Sequence, residues 1–198
     1  MPRRALIRCL LISGLAGLAG VAGCKHLEPM PELEGGIDLG LRRGAGWMTI
    51  KVRPPYVIGP TASLKLHRGM FIGTSAAGDL VHIQVDREGA LGYGPGRVDV
   101  DFNRDQDEAF IIEGVWNGAR VHFRITDDDF RGSIFSAAGW CQYVLDKTLA
   151  DGARHGFSIC AGLPQDTSLE IPMPLTKWLT PAELAVVMLE LLSGPPSY

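Results

Sequence analysis

Phe110-Ile111-Ile112-Glu113-Gly114-Val115-Trp116-Asn117-Gly118-Ala119-Arg120-Val121-His122-Phe123-Arg124-Ile125 decides the fold class of this chain. Two apolar runs flank Asn117-Gly118, a dipeptide that tolerates the positive φ angles of a two-residue hairpin turn better than any other. With those residues in the turn, Trp116 pairs with Ala119, Gly114 with Val121, Ile112 with Phe123 and Phe110 with Ile125, all on one face. Glu113 opposite His122 and Val115 opposite Arg120 form the other face, the one suited to water. A slip of one residue would turn the aromatic side chains outward, so the register of the hairpin, residues 109 to 126, is strongly specified.

Working outward, the same two-residue period recurs. Met48, Ile50 and Val52 alternate with Thr49, Lys51 and Arg53; Val81, Ile83 and Val85 with His82 and Gln84; Val98, Val100 and Phe102 with Asp99 and Asp101. Turn signals separate these runs at Pro54-Pro55, Arg68-Gly69, Arg87-Glu88-Gly89 and Gly92 to Gly96. Further short runs follow at 130–135, 141–145, 156–160 and 168–171. About nine strands with short links and no helix between them predict a mainly β fold, an antiparallel meander barrel or sandwich.

The end of the chain changes period. Thr180-Pro181-Ala182-Glu183 has the form of a capping box with proline at the first helical position, and Ser193-Gly194-Pro195-Pro196 is a stop. One C-terminal α-helix is expected at about 181–192. Its two polar residues, Glu183 and Glu190, stand seven apart and share a face, leaving Leu184, Ala185, Val187, Met188, Leu191 and Leu192 to be buried. So apolar a helix either docks on the β-domain or enters a groove on a partner.

Acidic residues cluster beside the central hairpin. Asp99, Asp101, Asn103, Asp105 and Asp107 alternate as in a calcium loop, but an EF-hand counted from Asp99 requires glycine at Arg104 and glutamate at Phe110. The hairpin itself brings Asp105, Asp107 and Glu108 to the same edge as Asp127, Asp128 and Asp129, with Glu108 extrapolated to lie opposite Asp127. Opposed like charges are destabilising. Either a weak cation site, for calcium, or solvated aspartate-rich turns relieved by Arg104 would resolve them. The histidines read as surface residues. The chain lacks GxSxG, HExxH and phosphate-loop motifs, so its sequence gives no grounds for an enzyme and leaves an envelope hydrolase as a minor alternative.

At the start of the chain, Arg3, Arg4 and Arg8 precede an apolar run from Cys9 to Ala22 that is too short to span a bilayer permanently. Its ending, Val21-Ala22-Gly23-Cys24, resembles the lipobox of bacterial lipoproteins. The resemblance covers residues 1–24 and implies a signal peptide at 1–23 removed before Cys24, and an acylated Cys24 as the lipid attachment. Two or more acyl chains hold a protein stably on a membrane, at about 0.8 kcal/mol per buried CH2. Lys25 stands where an aspartate would signal inner-membrane retention, which favours the outer membrane if the organism has two. Residues 24–46, rich in Pro, Gly and Glu, read as the lipidated cysteine and a flexible tether, and 47–198 as the β-domain with its helix.

Cys9 leaves with the signal peptide and Cys24 goes to lipid, which leaves Cys141 and Cys160 as a pair in a compartment that permits disulfides. Of the 198 residues, 19 are Lys or Arg and 22 Asp or Glu; losing three arginines with the signal peptide takes the formal charge to about −6. Such a surface argues against nucleic acid. The expected function is a membrane-anchored envelope lipoprotein with a non-enzymatic binding or scaffolding β-domain, its partners envelope proteins. A barrel that carries a lipid or other apolar small molecule is the alternative. A continuous apolar cavity would favour the carrier, and a filled core with an exposed apolar patch the binding module.

Overall fold

The structure is a computed structural model and describes residues 35–137, 139–148 and 153–194. The signal peptide and Cys24 lie outside the described residues. Fourteen strands follow one another: β1 (Ile37–Arg43), β2 (Gly46–Arg53), β3 (Tyr56–Ile58), β4 (Ala62–His67), β5 (Met70–Ser75), β6 (Leu80–Val85), β7 (Gly89–Tyr93), β8 (Arg97–Arg104), β9 (Phe110–Trp116), β10 (Ala119–Ile125), β11 (Asp129–Ser136), β12 (Gly139–Lys147), β13 (Arg154–Cys160) and β14 (Leu163–Glu170). A short α1 (Leu175–Trp178) and α2 (Pro181–Leu192) complete the chain.

Each strand pairs antiparallel with the next, and β14 closes back on β1, so the sheet is a closed up-and-down barrel rather than a sandwich. The central hairpin adopts the expected register at every pair, from Trp116 with Ala119 to Phe110 with Ile125. Trp116, Ile112 and Phe123 are buried on its inner face. Asn117 and Gly118 both take positive φ, as the turn demands.

Five strands, β1, β3, β4, β5 and β7, go beyond the sequence reading. The first corrects the tether: residues 37–43 are β1 and 46 opens β2, so the β-domain begins about ten residues earlier than expected. Its glycines suggested a linker but serve the sheet. Gly40 lies beneath the Trp47 ring, where a Cβ would collide with it, and Gly44 takes the left-handed φ of the β1–β2 turn. Inner-face glycines likewise weakened the alternation elsewhere. Gly73, Gly92, Gly114, Gly132 and Gly156 lie on β5, β7, β9, β11 and β13, and at each a Cβ would overlap a carbonyl oxygen of the preceding strand. Removing that atom on alternate strands lets neighbouring backbones curl together, a device that closes a sheet.

Helix α2 fills the barrel. It starts beside the turns at Gly69, Asp86 and Arg87, at what we term the lower end, and finishes at the upper end, near Thr61 and Arg43. Residues on every side of it, Ala185, Val186, Val187, Met188, Leu189, Leu191 and Leu192, are buried and join the strands' inner faces in one core. The capping box forms as expected, with Thr180 Oγ1 accepting from the Glu183 amide and the Glu183 carboxylate accepting from the Thr180 amide. Glu190 does not face water with Glu183. Two turns further on it is 6 % exposed inside the barrel, because the wall surrounds the helix instead of flanking one side. Among the described residues no helix is long and apolar enough to cross a membrane.

Candidate functional site

Four regions could carry function: the lumen, the acidic edge, the cleft at the lower mouth and the outer wall. The lumen is closed by packing and by polar latches. Thr61 Oγ1 donates to the Glu190 carboxyl, and burial raises the Glu190 pKa above the usual carboxylate range, with the Thr61 bond opposing part of that rise. At the upper end Tyr143 Oη donates to the carbonyl of Leu192 (3.2 Å) and Arg43 donates to that of Gly194 (3.1 Å). These bonds satisfy carbonyls left open where a helix ends and put a cation at the negative end of its dipole. Burial also raises the Tyr143 pKa, while the neighbouring Arg43 pulls it down.

Cys141 and Cys160 are bonded to each other, across the directly paired strands β12 and β13. The bridge lies on the inner face beside Arg43, whose guanidinium is 3.7 Å from both sulfurs. It staples the wall next to the point where α2 ends.

The acidic edge is neutralised by arginines of the chain itself. Arg124 reaches from the outer face of β10 to Asp105 (2.8 Å) and Asp107 (3.0 Å), and its hydrogen bond holds the Asp105 carboxyl below the usual carboxylate range. Asp105 also accepts from the amides of Asp107 and Ala109, which closes the β8–β9 turn. Arg104 pairs with Glu108, and Arg154 donates to the backbone carbonyls of Thr126 and Asp127. Burial lowers the Arg154 pKa and the charges of Asp129, Asp127 and Asp128 raise it. The ladder between β9 and β10 ends at Phe110 and Ile125, so Glu108 and Asp127 are not paired across it. Among the described residues no group of three or more His, Cys, Asp or Glu is placed to hold a metal. Arg124 relieves the charge of Asp105 and Asp107, and Arg104 that of Glu108.

A cleft of about 450 Å³ opens at the lower mouth between Gly69, Asp86, Arg87, Arg104, Phe110 and the first turn of α2. The capping box takes up the amides of Thr180 and Glu183, Pro181 has none, and Arg104 is engaged by Glu108.

The outer wall is the more informative surface. Charged residues alternate along most strands, such as Asp99 and Asp101 on β8, Arg120 and Arg124 on β10 and Arg131 on β11. On β11 to β13 the outward phase includes large apolar side chains. Phe135 stacks on Trp140, its directly paired neighbour, with ring centroids 6.2 Å apart, and Val144 pairs with Phe157 two outward positions below, beyond Gln142 and Ser133. Phe135 and Phe157 are about half exposed.

The sequence reading did not single out these residues. The available signal was a run apolar in both phases, Trp140-Cys141 and Tyr143-Val144-Leu145, which a strand with one wet face does not need. Comparison with protein-family models, with curated proteins and with solved structures finds no match. The functional argument therefore rests on the site alone.

His82 stacks on Tyr93 on the outer wall, and His122 lies 3.6 Å from Glu113, both positions consistent with surface histidines.

Proposed function

We propose that this chain is a membrane-anchored lipoprotein of the bacterial envelope whose barrel is a non-enzymatic binding or scaffolding module that works through its outer surface. The observation supporting the binding role is the filled lumen. Among the described residues α2 is buried on all sides within the barrel, where a carried lipid would have to lie, whereas the Phe135–Trp140 face leaves apolar area in water. Anchoring is supported by the lipobox ending at Cys24. Acylation there would hold the chain on the membrane, on the outer one in an organism with two, and bring it to envelope protein partners.

The test is mass spectrometry of the protein extracted from its native membrane, together with a Cys24→Ser variant. Expected are an N-terminal diacylglyceryl-cysteine at Cys24, loss of membrane recovery in the variant, and no stoichiometric non-covalent lipid. Continued membrane recovery of the variant would sink the anchor, and a stoichiometric non-covalent lipid would sink the filled-core binding module.

A further inference from the structure

In an up-and-down barrel alternate links collect at the same end, and here the two ends differ sharply in charge. The upper links, 44–45, 59–61, 76–79, 94–96, 117–118, 137–138 and 161–162, contain one charged residue, Asp79. Five lower links, 54–55, 68–69, 86–88, 105–109 and 126–128, contain nine: Arg68, Asp86, Arg87, Glu88, Asp105, Asp107, Glu108, Asp127 and Asp128. Chance placement of a mixed-charge surface would not strip one end so completely.

The upper end is also where exposed apolar side chains gather. Trp47, Leu80, Tyr93, Phe135, Trp140 and Leu163 stand within the last two residues of their strands at that end, each a third or more exposed. They come from β2, β6, β7, β11, β12 and β14 and so surround the barrel instead of forming one sector.

We infer that the upper end is a bilayer-contacting surface, a blunt neutral face whose aromatic ring rests at the headgroup level of a neutral lipid membrane. This rests on the reading of the protein as membrane-anchored and working through its outside. A partner that meets all sectors of a blunt end at once is planar. A protein would more naturally bury one contiguous patch, such as Phe135 with Trp140. Trp and Tyr rings prefer the water–lipid boundary, where an apolar body and a polar atom are both accommodated.

The charges near this end are few: Asp79 accepts from Ser75 Oγ, Arg97 is ion-paired with Asp99, and Arg42 and Arg120 have stems long enough to carry their guanidinium groups to the headgroups. The anchor geometry allows it as well. Cys24 precedes Ile37 by thirteen residues, a span of up to about 45 Å, whereas the nine-residue β12 measures about 30 Å along the chain. A barrel tethered from its lower end can thus turn its upper end down to the same bilayer.

The test uses the whole chain with phosphatidylcholine vesicles brominated in their acyl chains, whose bromines quench tryptophan by contact. Trp47 and Trp140 report the upper end and Trp178, on α1, the lower; buried Trp116 is kept as a common background. Three variants each retain one reporter, the other two being changed to Phe at exposed positions where folding tolerates it.

Flotation with the vesicles reports anchoring, and quenching reports docking. Expected are flotation, loss of half or more of the Trp47 and Trp140 emission with Trp178 unchanged, and the same pattern with added phosphatidylglycerol or salt. In the Cys24→Ser background, removal of Trp47 or Trp140 by alanine should weaken vesicle binding by about tenfold each. Flotation with none of the three quenched would leave the anchor standing and overturn the docking, making a protein the occupant of the upper face. Quenching of Trp178 alone would overturn it by putting the charged end on the bilayer. Quenching that appears only with phosphatidylglycerol would overturn the neutral-surface argument. Absence of flotation would overturn both the anchor and the docking that rests on it.

Discussion

Leu189 and Leu191 test whether α2 lies inside the barrel. They are two residues apart, which places them about 200° apart around a helix, on opposite sides. Both are fully buried. A helix docked on the outside of a β-domain can bury one of these positions and must leave the other near water, whereas a helix inside a closed wall buries both. Leu→Ala in a core costs about 2–5 kcal/mol, and the higher part of that range applies where the surroundings cannot collapse into the space. A barrel wall closed by a continuous hydrogen-bonded ladder is such a case. We therefore expect Leu189→Ala and Leu191→Ala each to lose about 3–5 kcal/mol, a large part of the 5–15 kcal/mol typical of a domain. Outward-facing Leu91, 63 % exposed, supplies the control, and Leu91→Ala should change stability by no more than about 0.5 kcal/mol. Guanidinium unfolding followed by circular dichroism and tryptophan fluorescence measures all three at constant m-value. A loss under about 1 kcal/mol at either helix position would show that this side of α2 faces water and would refute the filled lumen.

Two further outcomes follow from buried groups. Burial raises the pKa of Glu190, so its contribution is fully present below the unfolded carboxylate range and is lost as pH rises through the higher folded value; Glu190→Gln should gain on the wild type as pH rises above the ordinary carboxylate range, and parallel stability profiles would contradict the buried carboxyl. The Cys141–Cys160 bridge closes a segment of 19 residues, so Cys141→Ser with Cys160→Ser should lose about 3 kcal/mol in the same unfolding assay, and a loss below about 1 kcal/mol would show that the bridge constrains little.

The parts of the fold legible in the sequence are those written in local chemistry. Asn117-Gly118 sets a turn, the turn sets a register, and the register decides which of Trp116 and Val115 points inward. Thr180 to Glu183 describes the start of α2 in the same way. Turn signals at Pro54-Pro55 and Arg68-Gly69 marked true links, while β3 and β4 between them and β5 after them were too short or too interrupted by glycine to show a period. The acidic edge was legible as a cluster but not in its resolution. Asp105 and Arg124 are 19 positions apart, and only pairing of β8, β9 and β10 brings them to 2.8 Å.

What the sequence determined by itself is therefore the period, the turns, the caps and the cysteine pair, because each depends on neighbours a few residues away or on a simple count. What only the tertiary structure decided is closure and its consequences: that β14 meets β1, that α2 lies within the wall, that Glu190 is enclosed with Thr61, and that most of the uncharged links share one end. The physical reason is that closure depends on the accumulated twist and stagger of all fourteen strands. No local stretch records that sum, and an all-apolar helix looks the same in sequence whether it is covered by one surface or by a barrel.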